Sequence, residues 1–282
     1  MFTLTAERMT DGERLTLTQY GSAYTVTYAG FGPVAAEVAT SSLGMSDGDK
    51  INSARRGKRN AVLYVTISGN VEQNRIRLYR FFTPKQYVRL HYRNGSRNVY
   101  TEGMIETHEC NQFENPVVAQ ISIICPQPFW IGAEEIVKNI SGVVSMFYFP
   151  FAIAAEGVAM SSLTGEEYAL LQNNGDEPAG FIATVYARDD VVNPVIYNAI
   201  TNEAIGINGT LEKGHTLTIS TNTGNKRIKI TDPNGLERNV LYLKRGNWFT
   251  LAPGDNYIAY SSLSGTVAMM VTLQHNELFV GV

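Results

Sequence analysis

Cysteine, histidine and charge are all scarce in this sequence. The two cysteines, Cys110 and Cys125, cannot form a structural zinc site at this spacing with these neighbours. They read as thiols on one hairpin, out of register with each other and reduced in a cytoplasm. The four histidines are His91, His108, His215 and His275, and none stands two or four residues from another. A metal triad would therefore have to converge from distant strands. Charged residues make up 17% of the chain against 44% hydrophobic. That balance excludes global disorder and leaves enough apolar surface for a large core. No apolar run reaches the roughly 20 residues that span a bilayer. The longest, 143–155, is broken by Ser145 and Pro150. The first 15 residues alternate and carry charge, unlike a signal or transit peptide, so synthesis in a cytoplasm without membrane insertion is expected.

Catalytic constellations are equally thin. There is no G-x-S-x-G, and Cys125 precedes Pro126, a poor placement for a thiolate nucleophile. The carboxylate pairs Glu134-Glu135, Glu166-Glu167 and Asp189-Asp190 are adjacent in sequence. Neighbours in a strand face opposite sides, so such pairs do not share a cleft. Gly30, Gly32 and Ala35 fit G-x-G-x-x-A, and Pro33 could open a helix over 34–39. A dinucleotide site also needs alternating strands and helices, which the rest of the chain does not offer, so these glycines read as turn residues. No enzyme, cofactor or metal is expected.

What the chain has is strand signal. Residues 14–20, 24–28, 62–67, 87–92 and 120–125 alternate apolar and polar, with β-branched and aromatic residues prominent. This is the pattern of half-buried antiparallel strands. Asn94-Gly95 marks a hairpin. Leu78, Phe81 and Phe82, with Ile76 and Tyr79, follow helical spacing and stop at Pro84, predicting a short helix near 72–82. Residues 46–60 lack apolar periodicity and hold Arg55, Arg56, Lys58 and Arg59, which reads as a solvated basic loop able to contact an acidic neighbour or a DNA channel.

A boundary is expected at Cys125–Gly132, where two prolines and two aromatics punctuate the chain. Residues 1–130 hold 14 Lys and Arg against 11 Asp and Glu, and residues 131–282 hold 9 against 15. Neither half is basic enough for a dedicated nucleic-acid binder. After the boundary, turn signals recur at Asn174-Gly175, Asn208-Gly209, Thr223-Gly224, Asn234-Gly235, Pro253-Gly254 and Ser264-Gly265, as in a sandwich or barrel. Trp248 is a candidate contact for a sugar or partner, although either Trp248 or its neighbour Phe249 must point inward. The fold class is all-β and mainly antiparallel. Domains are expected at 1–130 and 131–282.

The order of several motifs resembles the distal tail proteins of long-tailed siphophages. In the first half these are the helix of 75–84 ending at Pro84-Lys85, a hairpin, the glutamate-bearing strand of 98–109 and the closing 120–130 ending in Cys-Pro-Gln-Pro-Phe-Trp. In the second half they are Phe149–Phe151 with 157–162, 173–176, Asn193-Pro194, 214–219, 248–256 and 279–282. The resemblance implies a tail-tube-like β-sandwich or split barrel with one short helix, followed by a galectin-like β-sandwich. It further implies a homohexameric ring that joins the tail-tube protein to the tail hub or tail-associated lysin. Such a ring supports receptor-binding proteins and passes DNA without specific binding. The location implied is the distal tail tip or baseplate of a virion. The sugar-site arginine and tryptophan partners are not found around His275, so the alternative, a carbohydrate-binding adhesin module of a tail tip or cell surface, rests on the sandwich and Trp248, with Trp130 as a second candidate for stacking on a sugar.

Overall fold

Alternation in the first half is read out directly as pleat. The computed structural model describes residues 2–44, 47–111, 113–140 and 168–282, together with the short strands Val144–Ser145 and Ser161–Ser162. Ten strands and one helix occupy the first part: β1 (Thr3–Arg8), β2 (Arg14–Thr18), β3 (Tyr24–Ala29), β4 (Ala36–Ser42), β5 (Asp49–Arg56), β6 (Arg59–Ile67), α1 (Val71–Phe81), β7 (Tyr87–Arg93), β8 (Asn98–Cys110), β9 (Val118–Cys125) and β10 (Trp130–Gly132). Seven strands pair in the cycle β8-β7-β1-β2-β3-β6-β9 and back to β8, which closes a barrel. Closure removes the open edges that a seven-stranded sheet would otherwise present. All pairings are antiparallel except β2 with β3, which meet in parallel at Thr18 and Thr25.

β8 makes the closure possible. Its first half pairs with β7, and its second half, from Met104, pairs with β9. The register slips between Ile105 and Thr107, a bulge that bends the strand from one neighbour to the next. Gly103 sits at that crossing, where a Cβ would stand 2.6 Å from the Ile124 carbonyl oxygen and 2.8 Å from Cys125 Sγ. Inward positions such as Leu4, Leu17, Leu63, Val65, Leu90 and Ile121 are fully buried. Each contributes about 1.5–3 kcal/mol by leaving water. Helix α1 starts at the Asn70 cap, whose side chain accepts from Gln73 N, and ends one residue before the reading of 72–82. Leu78, Phe81 and the following Phe82 join the barrel core, while Ile76 and Tyr79 remain exposed.

The stretch read as a basic loop is corrected by the structure. β4 and β5 form a hairpin of seven cross-strand pairs, and every residue of both strands is exposed. Alternation could not reveal it because neither face is buried, so no apolar period is needed. The helix considered over 34–39 is likewise absent, since residues from Ala36 onward are strand. Cys110 and Cys125 are free and lie out of register on the β8–β9 hairpin, as read from sequence.

The second part is built of two larger antiparallel sheets and two two-stranded ones, the latter pairing the twelfth with the thirteenth strand and the sixteenth with the nineteenth. Its strands are β11 (Ile136–Asn139), β12 (Val144–Ser145), β13 (Ser161–Ser162), β14 (Ala169–Asn173), β15 (Phe181–Ala187), β16 (Val191–Val192), β17 (Val195–Asn198), β18 (Ala204–Ile207), β19 (Thr210–Leu211), β20 (Thr216–Ser220), β21 (Arg227–Thr231), β22 (Glu237–Asn239), β23 (Lys244–Gly246), β24 (Gly254–Ser261) and β25 (Met269–His275); β26 (Leu278–Phe279) closes the chain. One sheet runs β11-β25-β15-β20-β21-β22 and the other β14-β24-β17-β18-β23. Phe181, Val185, Leu217, Ile219, Leu251 and Leu273 lie in the core of this unit. The Phe149–Phe151 motif, 157–160 and Glu166-Glu167 lie outside the described residues.

The chain divides into Met1–Glu134 with Leu278–Val282, and Glu135–Glu277. The expected domains, 1–130 and 131–282, therefore need correction at both ends. Trp130 and Ile131 are strand β10, which pairs with β8 of the barrel. β26 returns to pair with β10, at Trp130 with Phe279 and Ile131 with Leu278. A two-residue strand has no periodicity, so its partner is invisible in the sequence.

Candidate assembly surfaces

The basic run of 55–59 is split by the fold into two unlike parts. Arg55 lies on the arm β4–β5, where its Nε donates to Glu37 at 2.8 Å, with side chains 81% and 59% exposed. Arg56 is exposed and its guanidinium stands 5.1 Å from the Phe129 ring centre. Lys58 is exposed in the turn that follows. Val38 and Ile51 expose apolar surface on the same arm. A two-stranded hairpin alone is marginal in water, so an arm without cover on either face is suited to a surface supplied by another molecule.

Arg59, expected as part of that contact, is fully buried instead. Its position opens β6, whose odd-numbered residues face inward. The guanidinium donates to four backbone carbonyls: Gly30 and Gly32 at 2.7 Å each, Pro128 at 3.1 Å from Nε, and Val280 at 3.0 Å. Its carbon also stands 5.4 Å from the Trp130 ring centre. Burial pushes its pKa down from the ordinary arginine value, and the carbonyl dipoles satisfy the donors in place of a carboxylate. One side chain thus ties the turn after β3, the proline linker and the C-terminal tail together. The glycines that imitated a nucleotide motif serve this knot. Gly30 has φ 76°, and a Cβ there would fall 1.9 Å from the Asn60 carbonyl oxygen.

Aromatic rings surround the same point. Trp130 Nε1 donates to the Phe31 carbonyl at 3.1 Å, and Tyr28 stacks on Phe31 with centres 4.1 Å apart. Burial, with the Tyr92 hydroxyl 3.2 Å away, pushes the Tyr28 phenol up to about 12. Cys125, also buried beside Arg59, has its thiol pushed up by burial, which leaves it protonated and unreactive. Nothing in the composition marked Arg59 as different from Arg55, because the signal lies in partners 27 to 221 residues away.

Trp248 occupies the second unit. It is half-buried against that unit's core while Phe249 points fully inward. The ammonium groups of Lys226 and Lys244 each lie 5.8 Å from the Trp248 ring centre. The ring is presented to two cations, an arrangement suited to an anionic partner more than to bare stacking.

The remaining chemistry-bearing residues are dispersed. His91 Nε2 hydrogen-bonds Glu7 at 2.8 Å, and that bond, ahead of Arg14, holds the Glu7 carboxyl below its ordinary value. His108 Nδ1 meets the Phe82 carbonyl at 3.0 Å, and burial lowers its pKa. Burial also lowers that of His275. Asp190 accepts from Lys213 N at 2.8 Å. Among the described residues no group of His, Cys, Asp and Glu is placed to hold a metal ion.

Residues 174–279 match the family described as siphovirus-type tail component, C-terminal domain. This part of the chain is similar to a siphovirus-type tail component domain. Likeness of fold to solved structures extends over the whole chain. SPP1 Dit, described as a paradigm of the hub adsorption apparatus in phages infecting Gram-positive hosts, aligns over 99% of both chains with a TM-score of 0.66 at 12% identity. Chains of the phage P2 baseplate in its activated conformation, with Ca and with Sr, align over 98% of both chains with a TM-score of 0.53, at 10% and 11% identity. No curated protein matches the sequence. The resemblance to distal tail proteins is thus borne out by the family match over residues 174–279 and by likeness of fold throughout.

Proposed function

We propose that the chain is a non-enzymatic connector at the distal end of a long phage tail, where six copies close a ring around the DNA channel. The observation that carries this is the arm β4–β5, seven cross-strand pairs long and exposed at every residue. A closed cyclic ring needs a heterologous contact, one patch meeting a different patch on the next copy. An uncovered arm on a closed barrel supplies one half of such a contact. The ring would stack on the tail-tube protein on one side and the tail hub or tail-associated lysin on the other. Its second unit would support receptor-binding proteins. The cations of the arm, Arg55, Arg56 and Lys58, would face an acidic patch of the neighbouring copy or the channel. DNA would pass without specific contact.

Mass measurement of the purified chain across protein and salt concentration tests the ring. A hexamer, with a six-fold annulus in negative stain, is expected. Removal of residues 37–55 should leave a folded monomer. A strictly monomeric intact chain under all these conditions would refute the reading.

A further inference from the structure

Each of the two larger sheets of the second unit ends on a short strand, and the two strands are consecutive in the chain. β22 and β23 are the outermost strands, opposite β11 and β14, and residues 240–243 join them. Charge is gathered there. Residues 226–245 hold six of the nine Lys and Arg of 131–282 but only two of its fifteen Asp and Glu. Those two acids are engaged: Asp232 Oδ1 accepts from Asn234 N at 2.9 Å and Leu236 N at 2.8 Å, and Glu237 pairs with Lys229. Lys226 and Lys244 rest over Trp248. Arg227, Arg238 and Arg245 are exposed and have no ion-pair partner among the described residues. Leu236, Leu241 and Tyr242 are 64%, 41% and 81% exposed along the same stretch.

We propose that this edge binds an acidic polypeptide segment, added in extended form as a further strand beside β22. Three features select that occupant together. An outermost strand offers backbone donors and acceptors to an incoming strand. Unpaired arginines select negative charge and repel the same edge of a second copy. Exposed Leu236 and Tyr242 offer apolar contact that a backbone-free polyanion would leave unused. The inference does not depend on ring closure by the barrel.

The test uses the full chain and three probes in isothermal titration: a short synthetic peptide alternating Glu and Val, the same peptide N-methylated at alternate residues, and inorganic polyphosphate. The unmodified peptide should bind, more weakly as salt rises. The combined change Arg227→Glu and Arg238→Glu should weaken it by roughly tenfold or more. N-methylation should weaken it comparably. Tyr242→Ala, at a position too exposed to endanger folding, should also weaken it, and melting curves verify that both variants are folded. Polyphosphate binding as tightly as the peptide would overturn strand addition in favour of a general polyanion surface. Equal binding of the peptide to the charge-reversed chain, undiminished binding of the N-methylated peptide, or no binding at low salt would overturn the proposal.

Discussion

Arg55 and Arg59 are four positions apart on consecutive strands and have opposite fates. Arg55 sits on an arm that buries nothing, paired to Glu37 in water. Arg59 is enclosed, with its donors spent on backbone carbonyls from three separate stretches of chain. The difference teaches that a basic run is not a unit of function. An exposed ion pair gains little because water screens it, whereas a buried guanidinium is held by bonds that water cannot replace. The knot decides whether the barrel, the linker and the tail hold together.

The largest expected effect breaks the buried side of this comparison. Arg59→Ala leaves several carbonyls unsatisfied and should cost the first unit roughly 3–5 kcal/mol, read from the urea midpoint. Arg59→Lys, with three donors in place of five, should fall between. Wild-type stability in Arg59→Ala would show that the knot is ornamental. Gly30→Ala comes next, expected to cost more than about 1–2 kcal/mol from its left-handed backbone and the clash with Asn60.

Acid should then sharpen the contrast between interior and surface. His108 and His275 each have a folded pKa below the ordinary histidine value near 6.5 because of burial. The unfolded chain therefore binds more protons in that window. Their contribution is intact above about pH 6.5 and is lost as pH falls from there through the depressed folded values. Urea midpoints at pH 7.5 and pH 5 should separate, and His108→Gln should narrow the gap for the barrel while His275→Gln narrows it for the second unit. The smallest effect belongs to the arm. Arg55→Ala or Glu37→Ala should change stability by at most about 0–1 kcal/mol. A large loss would mean that the arm is part of the folded core after all.

Most strands were legible because one buried face imposes a period of two, as in 62–67 and 120–125, and helix α1 was legible from Leu78, Phe81, Phe82 and the stop at Pro84. The arm was not, since strands that bury neither face need no period. Trp248 stands out in the sequence as a candidate contact, but its company of Lys226 and Lys244 is brought in by the fold and could not be read in line.

Composition and alternation by themselves determined that this is a mainly antiparallel β protein. Local patterning suffices for that, because each strand reports only its own two faces. Which arginine is buried, where the sheet closes and which unit receives the last five residues were decided by tertiary structure alone. Those outcomes depend on backbone carbonyls and strand edges brought together from far along the chain, and backbone groups are the same in every residue.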